Sequence, residues 1–218
     1  VQSIHGVRHL LYFKPQQSFI PERLHGSSFV ADRTIDAIRR NRGNRPFFIW
    51  SSFIHPHPPL DVPPRWAHLY DDADIPEAYD SITPISAQAE AIAGAFENGS
   101  PQVLDRVRRL YYSAISFVDW NIGRIIDELK KAGMYDDTLI IFTSDHGEML
   151  GDNGAFQKEV PYDASIRVPF ILKPGKGLVP AVGADEKIDL YDIMPTILEA
   201  AGAENPDHMH DYPGASLF

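Results

Sequence analysis

The sequence predicts an α/β fold, and three observations carry that prediction. Leu104 to Lys131 repeats apolar residues at helical spacing for seven turns. A β-branched strand, Thr138 to Thr143, follows it after a short turn. Upstream, a shorter helical repeat, Val30 to Arg42, runs into a second apolar stretch, Pro46 to Ile54. Helix leading into buried strand, twice, is the unit from which α/β sheets are built.

Residues 1–28 are mixed in character, interrupted by Pro15 and Pro21, and read as an irregular arm. The Val30–Arg42 repeat ends in arginines, which favour the negative end of a helix dipole, and Gly43 stops it. Pro46-Phe-Phe-Ile-Trp-Ser-Ser-Phe-Ile54 has strand length and reads as a strand buried on both faces. His55-Pro-His-Pro-Pro59 is too rich in proline for helix or sheet. Residues 60–103, acidic and proline-punctuated from Asp71 to Pro84, read as a surface excursion of the kind that walls binding sites.

The long helix presents Val107, Leu110, Tyr111, Ala114, Phe117, Val118, Ile122, Ile125, Ile126 and Leu129 as one apolar stripe, ended by Gly133. Asp136-Asp137 makes the turn into the Thr138–Thr143 strand. A shorter strand, Val168 to Leu172, and a closing helix, about Tyr191 to Ala201, complete the chain. No internal repeat or low-complexity tract is present.

The 218 residues, 44% hydrophobic and 23% charged, suffice for one sizeable core. A net charge of −10 argues against nucleic acid as partner, because phosphate binding needs a surplus of Lys and Arg, yet leaves room for a small anion held by local cations. No apolar run reaches the roughly 18–20 residues of a membrane span, and Val1-Gln-Ser-Ile-His5 lacks the features of a signal peptide. The compartment, periplasmic, secreted or cytoplasmic, is left open, as is oligomeric state. Zero cysteines remove disulfides, thiolate chemistry and Cys-based zinc sites.

Chemistry concentrates at two strand ends, where open α/β sheets bind ligands. Asp145 and His146, followed by Gly147, can present a carboxylate and an imidazole to one divalent ion; equally, Asp145 can cap a turn while His146 packs or faces solvent. His57 lies between prolines that fix its backbone, which suits a general acid or oxyanion donor, although a rigid surface loop accounts for the same residues. Lys158, after Gly151-Asp-Asn-Gly-Ala-Phe-Gln157, can put a point charge on a sulfate or phosphate oxygen, or be a solvated surface lysine. Glu148 and Asp152 are loop carboxylates for which turn formation is at least as good an account.

Together these segments resemble a known family. Thr143-Ser-Asp-His-Gly-Glu-Met-Leu-Gly-Asp-Asn-Gly-Ala-Phe-Gln-Lys158, continued by Tyr162-Asp-Ala-Ser-Ile-Arg-Val-Pro169, is similar to the second signature region of the sulfatases, in the alkaline-phosphatase-like superfamily, with arylsulfatases, choline sulfatases and phosphonate monoester hydrolases as relatives. Val118-Asp119, Ile122-Gly123 and Asp137-Thr138 continue the match upstream. Ser52-Phe53-x-x-Pro56-His57-x-Pro59 resembles the family's central histidine motif, and Phe29 to Asp36 the helix before it. Asp189 to Leu198 and Gly214-x-Ser216-Leu217 resemble the closing helix and tail, so the likeness covers nearly all of residues 22–218.

The resemblance implies part of a mixed β-sheet flanked by helices, alkaline-phosphatase-like and lacking its N-terminal portion. It implies that Asp145 and His146 ligate a divalent metal. Calcium is the usual family ion; the imidazole leaves manganese or zinc open. It implies that Lys158 contacts the sulfate and its leaving oxygen, and that His57 contacts the same group and protonates the departing alcohol. The substrate would be a small-molecule or saccharide sulfate ester.

One departure limits this. The family's nucleophile is a formylglycine made from Cys or Ser in [Cys/Ser]-x-Pro-x-Arg, and no such motif occurs here; Phe19-Ile-Pro-Glu-Arg23 has phenylalanine at that place. The formylglycine is therefore expected upstream, residues 1–218 being the C-terminal portion of one catalytic domain, inactive alone. The alternatives are a phosphonate or phosphate ester hydrolase on the same scaffold, or a non-catalytic domain with a degenerate site.

Overall fold

The computed structural model describes residues 16–43, 45–79, 101–183, 186–203 and 211–218. Its elements are α1 (Gly26–Asn41), the single turn α2 (Pro64–Ala67), α3 (Pro101–Lys131), β1 (Ile140–Thr143), the turn α4 (Asp163–Ile166), β2 (Phe170–Lys173) and α5 (Ile193–Ala200).

α1 starts inside the expected arm. The signal lies in His25, whose Nδ1 accepts a hydrogen bond from the Ser27 backbone at 3.3 Å and so caps the helix. A 3-10 turn, Glu22–Leu24, precedes it; residues 1–15 of the arm lie outside the described residues. α1 packs along α3, and it buries Ala31, Ile35 and Ile38. Polar links close the same interface: Arg39 grips Glu128 with two bonds of 3.0 and 2.8 Å, and Arg124 reaches Asp32 at 2.5 Å.

Pro46 to Ile54 is extended, as expected, but it is not a strand buried on both faces. Among the described residues no strand pairs with it. One face turns inward, with Ser51 Oγ 2.6 Å from Thr34 Oγ1 on α1. The other carries Phe48, Trp50 and Ile54, which are 68%, 74% and 76% exposed. A strand needs neighbours for its N–H and C=O groups, and the described chain provides none at this edge.

The excursion from residue 60 also departs from expectation, since its first part is core. Leu60, Val62, Trp66 and Ala67 are buried against Val107, Leu110, Ala114 and Phe117 of α3 and against Phe156. Trp66 is the anchor: its ring lies 5.5 Å from Phe117 and its indole N–H donates to Glu22 at 2.9 Å. Three arginines of α3 then hold the backbone that follows. Arg106 donates to the Ala67 carbonyl at 3.1 Å, Arg109 to those of Tyr70 and Ala73, and Arg108 to that of Pro76 at 3.0 Å. Residues 80–100 of the excursion lie outside the described residues.

β1 and β2 pair antiparallel, Ile140 opposite Lys173 and Thr143 opposite Phe170. Lys173 turns back under the strand ends and donates to the carbonyls of Tyr135, Asp136 and Thr138. A second cluster, Met149, Ala155 and Val160, sits under the loop after β1. α5 is tied to the tail by Thr196, whose hydroxyl donates to Asp192 and accepts from the Leu217 backbone at 3.0 Å. Helices beside a partial sheet make this an α/β arrangement. Among the described residues no helix is long and apolar enough to cross a membrane.

Candidate active site

The chain leaves β1 at Thr143 and turns at once. Asp145 Oδ1 accepts from the His146 backbone at 3.0 Å, and Ser144 Oγ donates to the His146 carbonyl at 2.9 Å. Gly147 then passes against the turn α4, its N–H donating to Ser165 at 2.7 Å. A Cβ here would collide with the Ala164 carbonyl, which is why the position takes glycine. His146 Nδ1 lies 2.8 Å from the Gly147 carbonyl. A carbonyl only accepts, so Nδ1 carries the hydrogen and the neutral ring keeps its lone pair on Nε2. That Nε2 is 3.7 Å from Asp145 Oδ2, and the Asp145 side chain is 85% exposed.

His57 comes from the loop after the extended segment. The His55–Pro56 and Pro58–Pro59 bonds that flank it are cis. His57 Nδ1 donates to the Pro58 carbonyl at 2.7 Å, which leaves Nε2 as the atom turned toward the strand ends. There it meets Lys158, whose Nζ lies 3.4 Å away, and its ring centroid is 6.2 Å from that of His146. Three of the four residues singled out by sequence are therefore neighbours, and Asp145 adjoins them through His146.

The loop from Met149 to Lys158 is held by its own backbone: Met149 N–H to the Gln157 carbonyl at 3.0 Å and Gly151 N–H to that of Ala155 at 2.8 Å. Asp152 pins the outer side by accepting from the Tyr79 backbone at 3.0 Å. Glu148 sits beneath. Burial pushes its carboxyl above the ordinary range, against the opposing pull of the Gln157 and Leu150 N–H groups and the nearby His57 and Lys158. Ser165, buried in α4, donates to the Lys158 carbonyl at 2.9 Å. Nothing in the local sequence distinguishes Ser165 from any other serine in a short turn.

A second His/Asp group draws on the same proline loop, through His55, two residues before His57. His25, His55 and Asp61 bring three donor atoms within 4.8 Å of one another. They are engaged inside the fold: His25 caps α1, and His55 Nε2 sits 3.3 Å from both the Pro59 carbonyl and Asp61 Oδ1. Burial lowers the His25 pKa to about 4.

Residues 18–203 match the family model described as Sulfatase. The chain belongs to the sulfatase family. It is 37% identical over 196 residues to the arylsulfatase of Clostridium perfringens, covering 85% of this chain and 40% of that protein. It is 33% identical over 186 residues to the choline-sulfatase of Rhizobium meliloti, covering 80% of this chain and 36% of that protein. In three dimensions it superposes on the phosphonate monoester hydrolase of Silicibacter pomeroyi with a TM-score of 0.80 at 27% identity, covering 96% of this chain and 46% of that one. The sulfatase-family chain thus spans less than half the length of these relatives. Its fold is the alkaline-phosphatase-like one of its hydrolase family.

Proposed function

We propose that this chain supplies part of the active site of a sulfuric ester hydrolase. The observation that carries the reading is the meeting of His57, Lys158 and His146 in a sulfatase-family chain, from segments far apart in sequence. An ammonium at Lys158 Nζ offers a point charge to an oxygen of a bound sulfate. His57, oriented by its Nδ1 bond to Pro58, presents Nε2 at the same place; as a doubly protonated imidazolium, the ring can pass the Nε2 proton to the departing alkoxide and return to the neutral Nδ1–H form.

Asp145 and His146 would hold the divalent ion. The donor set fits: the His146 lone pair is on Nε2, its other nitrogen is fixed by a carbonyl as in ligating histidines, and Asp145 Oδ2 is close by. Bound there, the ion supplies positive charge that stabilises negative charge on an ester oxygen. Calcium takes about six to eight ligands, so most would come from outside positions 1–218; manganese or zinc suits the imidazole. The attacking formylglycine would likewise lie outside this chain, upstream. The substrate is a small-molecule or saccharide sulfate ester.

A second reading has its own support. The 0.80 superposition is on a phosphonate monoester hydrolase, and the chain is 32% identical to a multifunctional alkaline phosphatase superfamily protein of Trinickia caryophylli. A lysine and a histidine serve a tetrahedral phosphonate as they serve a sulfate. Assay of the whole metal-loaded protein on an aryl sulfate and an aryl phosphonate monoester separates the readings. Sulfate turnover is the expected result; turnover of phosphonate alone replaces the first reading with the second, and turnover of neither refutes both.

A further inference from the structure

Lys158 projects from a loop whose backbone is not at ease. Leu150, Asn153 and Gln157 all have positive φ, at 47°, 52° and 64°. Leu and Gln, unlike Asn, rarely adopt that region, because their Cβ crowds the following carbonyl oxygen. Something must hold them, and Gln157 immediately precedes Lys158. Glu148 is the group in place: its Oε1 accepts from the Gln157 N–H at 2.5 Å and from the Leu150 N–H at 3.2 Å. One carboxylate oxygen thus bridges both ends of the loop, at two of the three left-handed residues. The Met149 N–H bond to the Gln157 carbonyl fixes the other side of the same peptide region.

We propose that Glu148 is a positioning residue for Lys158. By clamping the Gln157 N–H it fixes the backbone from which the lysine departs, while Ser165 holds the Lys158 carbonyl from the far side. The ammonium is thereby delivered to His57 Nε2 rather than to solvent. The role rests on the proposed ester hydrolysis only for its catalytic consequence. The geometric claim stands independently.

The test uses the whole protein with Glu148→Ala, Glu148→Gln and Glu148→Asp. A misplacement of about 1 Å in a reacting site costs up to about 100-fold in rate, so kcat in E148A should fall roughly 10- to 100-fold. E148Q keeps an oxygen that accepts both N–H groups and should stay within about threefold of the parent, whereas the shorter E148D should not reach Gln157 and should fall with E148A. Hydrogen exchange at the Gln157 amide gives a second readout that needs no turnover: protected in the parent and E148Q, at least tenfold faster in E148A and E148D. If E148A does not fold, E148D carries both measurements. Loss of activity in E148Q equal to that in E148A would overturn the proposal, because charge and not position would then matter. So would an unchanged Gln157 exchange rate in E148D. If the parent hydrolyses neither ester, the functional reading fails while the exchange data still decide the clamp.

Discussion

Lys158 Nζ lies 3.4 Å from His57 Nε2, although 101 residues separate them in sequence. A contact so distant along the chain needs two independent scaffolds to agree. On one side, Leu60, Val62 and Trp66 anchor the histidine loop to α3; on the other, Met149, Ala155 and Val160 pack with Tyr162 and Ala164 to anchor the lysine loop. The pair should behave as one unit in catalysis. In the whole protein, Lys158→Ala and His57→Ala should each lower kcat/KM by about 10²–10⁴, and the double variant should lose much less than the product of the two. Lys158→Arg should not rescue, because a planar guanidinium does not replace a point charge at that distance. Steady-state kinetics on the preferred ester checks this; losses that multiply fully would mean the residues act separately.

Much of this arrangement was legible beforehand, for physical reasons. The α3 stripe and the β-branched run into Asp145 are strong periodic signals, and strand ends are where ligands gather. Other features were not legible. Pro46 to Ile54 has the composition of a buried strand, but composition does not say whether neighbours are present, and Phe48, Trp50 and Ile54 stand exposed. Trp66 was hidden among prolines that signal loop, and proline at the first position of a single helical turn still allowed it to reach the core. The α1 cap carries no sequence signal, because histidine is an uncommon cap. The work of Arg106, Arg108 and Arg109 on the carbonyls of residues 67–76 depends on a tertiary approach that spacing does not reveal.

Gly147 should be intolerant of any side chain. A Cβ would overlap the Ala164 carbonyl oxygen and stand 3.0 Å from its carbon, both backbone atoms that cannot swing away. Gly147→Ala must therefore shift the Asp145–His146 turn or push α4 outward. In the whole protein, metal affinity measured by titration calorimetry should drop at least about tenfold, comparable to losing an orienting partner of a ligand. An unchanged affinity would mean that Asp145 and His146 do not hold the ion, or that the turn does not orient them.

Stability should fall in mildly acidic solution because of His25. Its pKa is lowered to about 4 by burial, from an ordinary value of 6.5, so the unfolded chain binds the proton more readily. The contribution is therefore complete above about pH 6.5 and is lost as pH falls toward 4. Its size is on the order of 3 kcal/mol. Protonation also removes the Nδ1 acceptor that caps α1. His25→Asn keeps a capping oxygen without a titrating ring. Urea denaturation at steps from pH 7 to pH 4 should show a shallower decline for this variant than for the parent. Equal slopes would place the acid sensitivity elsewhere.

The 218-residue chain by itself should hydrolyse neither sulfate nor phosphonate esters. It contains no cysteine, and where the proline and arginine of the modification motif recur, Phe19 or Asp61 stands where the nucleophile belongs. Two ligands from Asp145 and His146 leave most of a divalent ion's shell to water, so metal affinity should be weak as well. The extended segment adds a physical difficulty. Phe48, Trp50 and Ile54 form an exposed apolar row on backbone that no strand among the described residues pairs, and such an edge recruits whatever strand it meets. The isolated chain should therefore bind a hydrophobic dye and grow in mass with concentration by light scattering. Replacing Trp50 with lysine should reduce both, since a charge on an edge opposes pairing. Ester turnover by the purified chain would refute the placement of the nucleophile outside it, and a monomer that ignores the dye would show that the row is not adhesive.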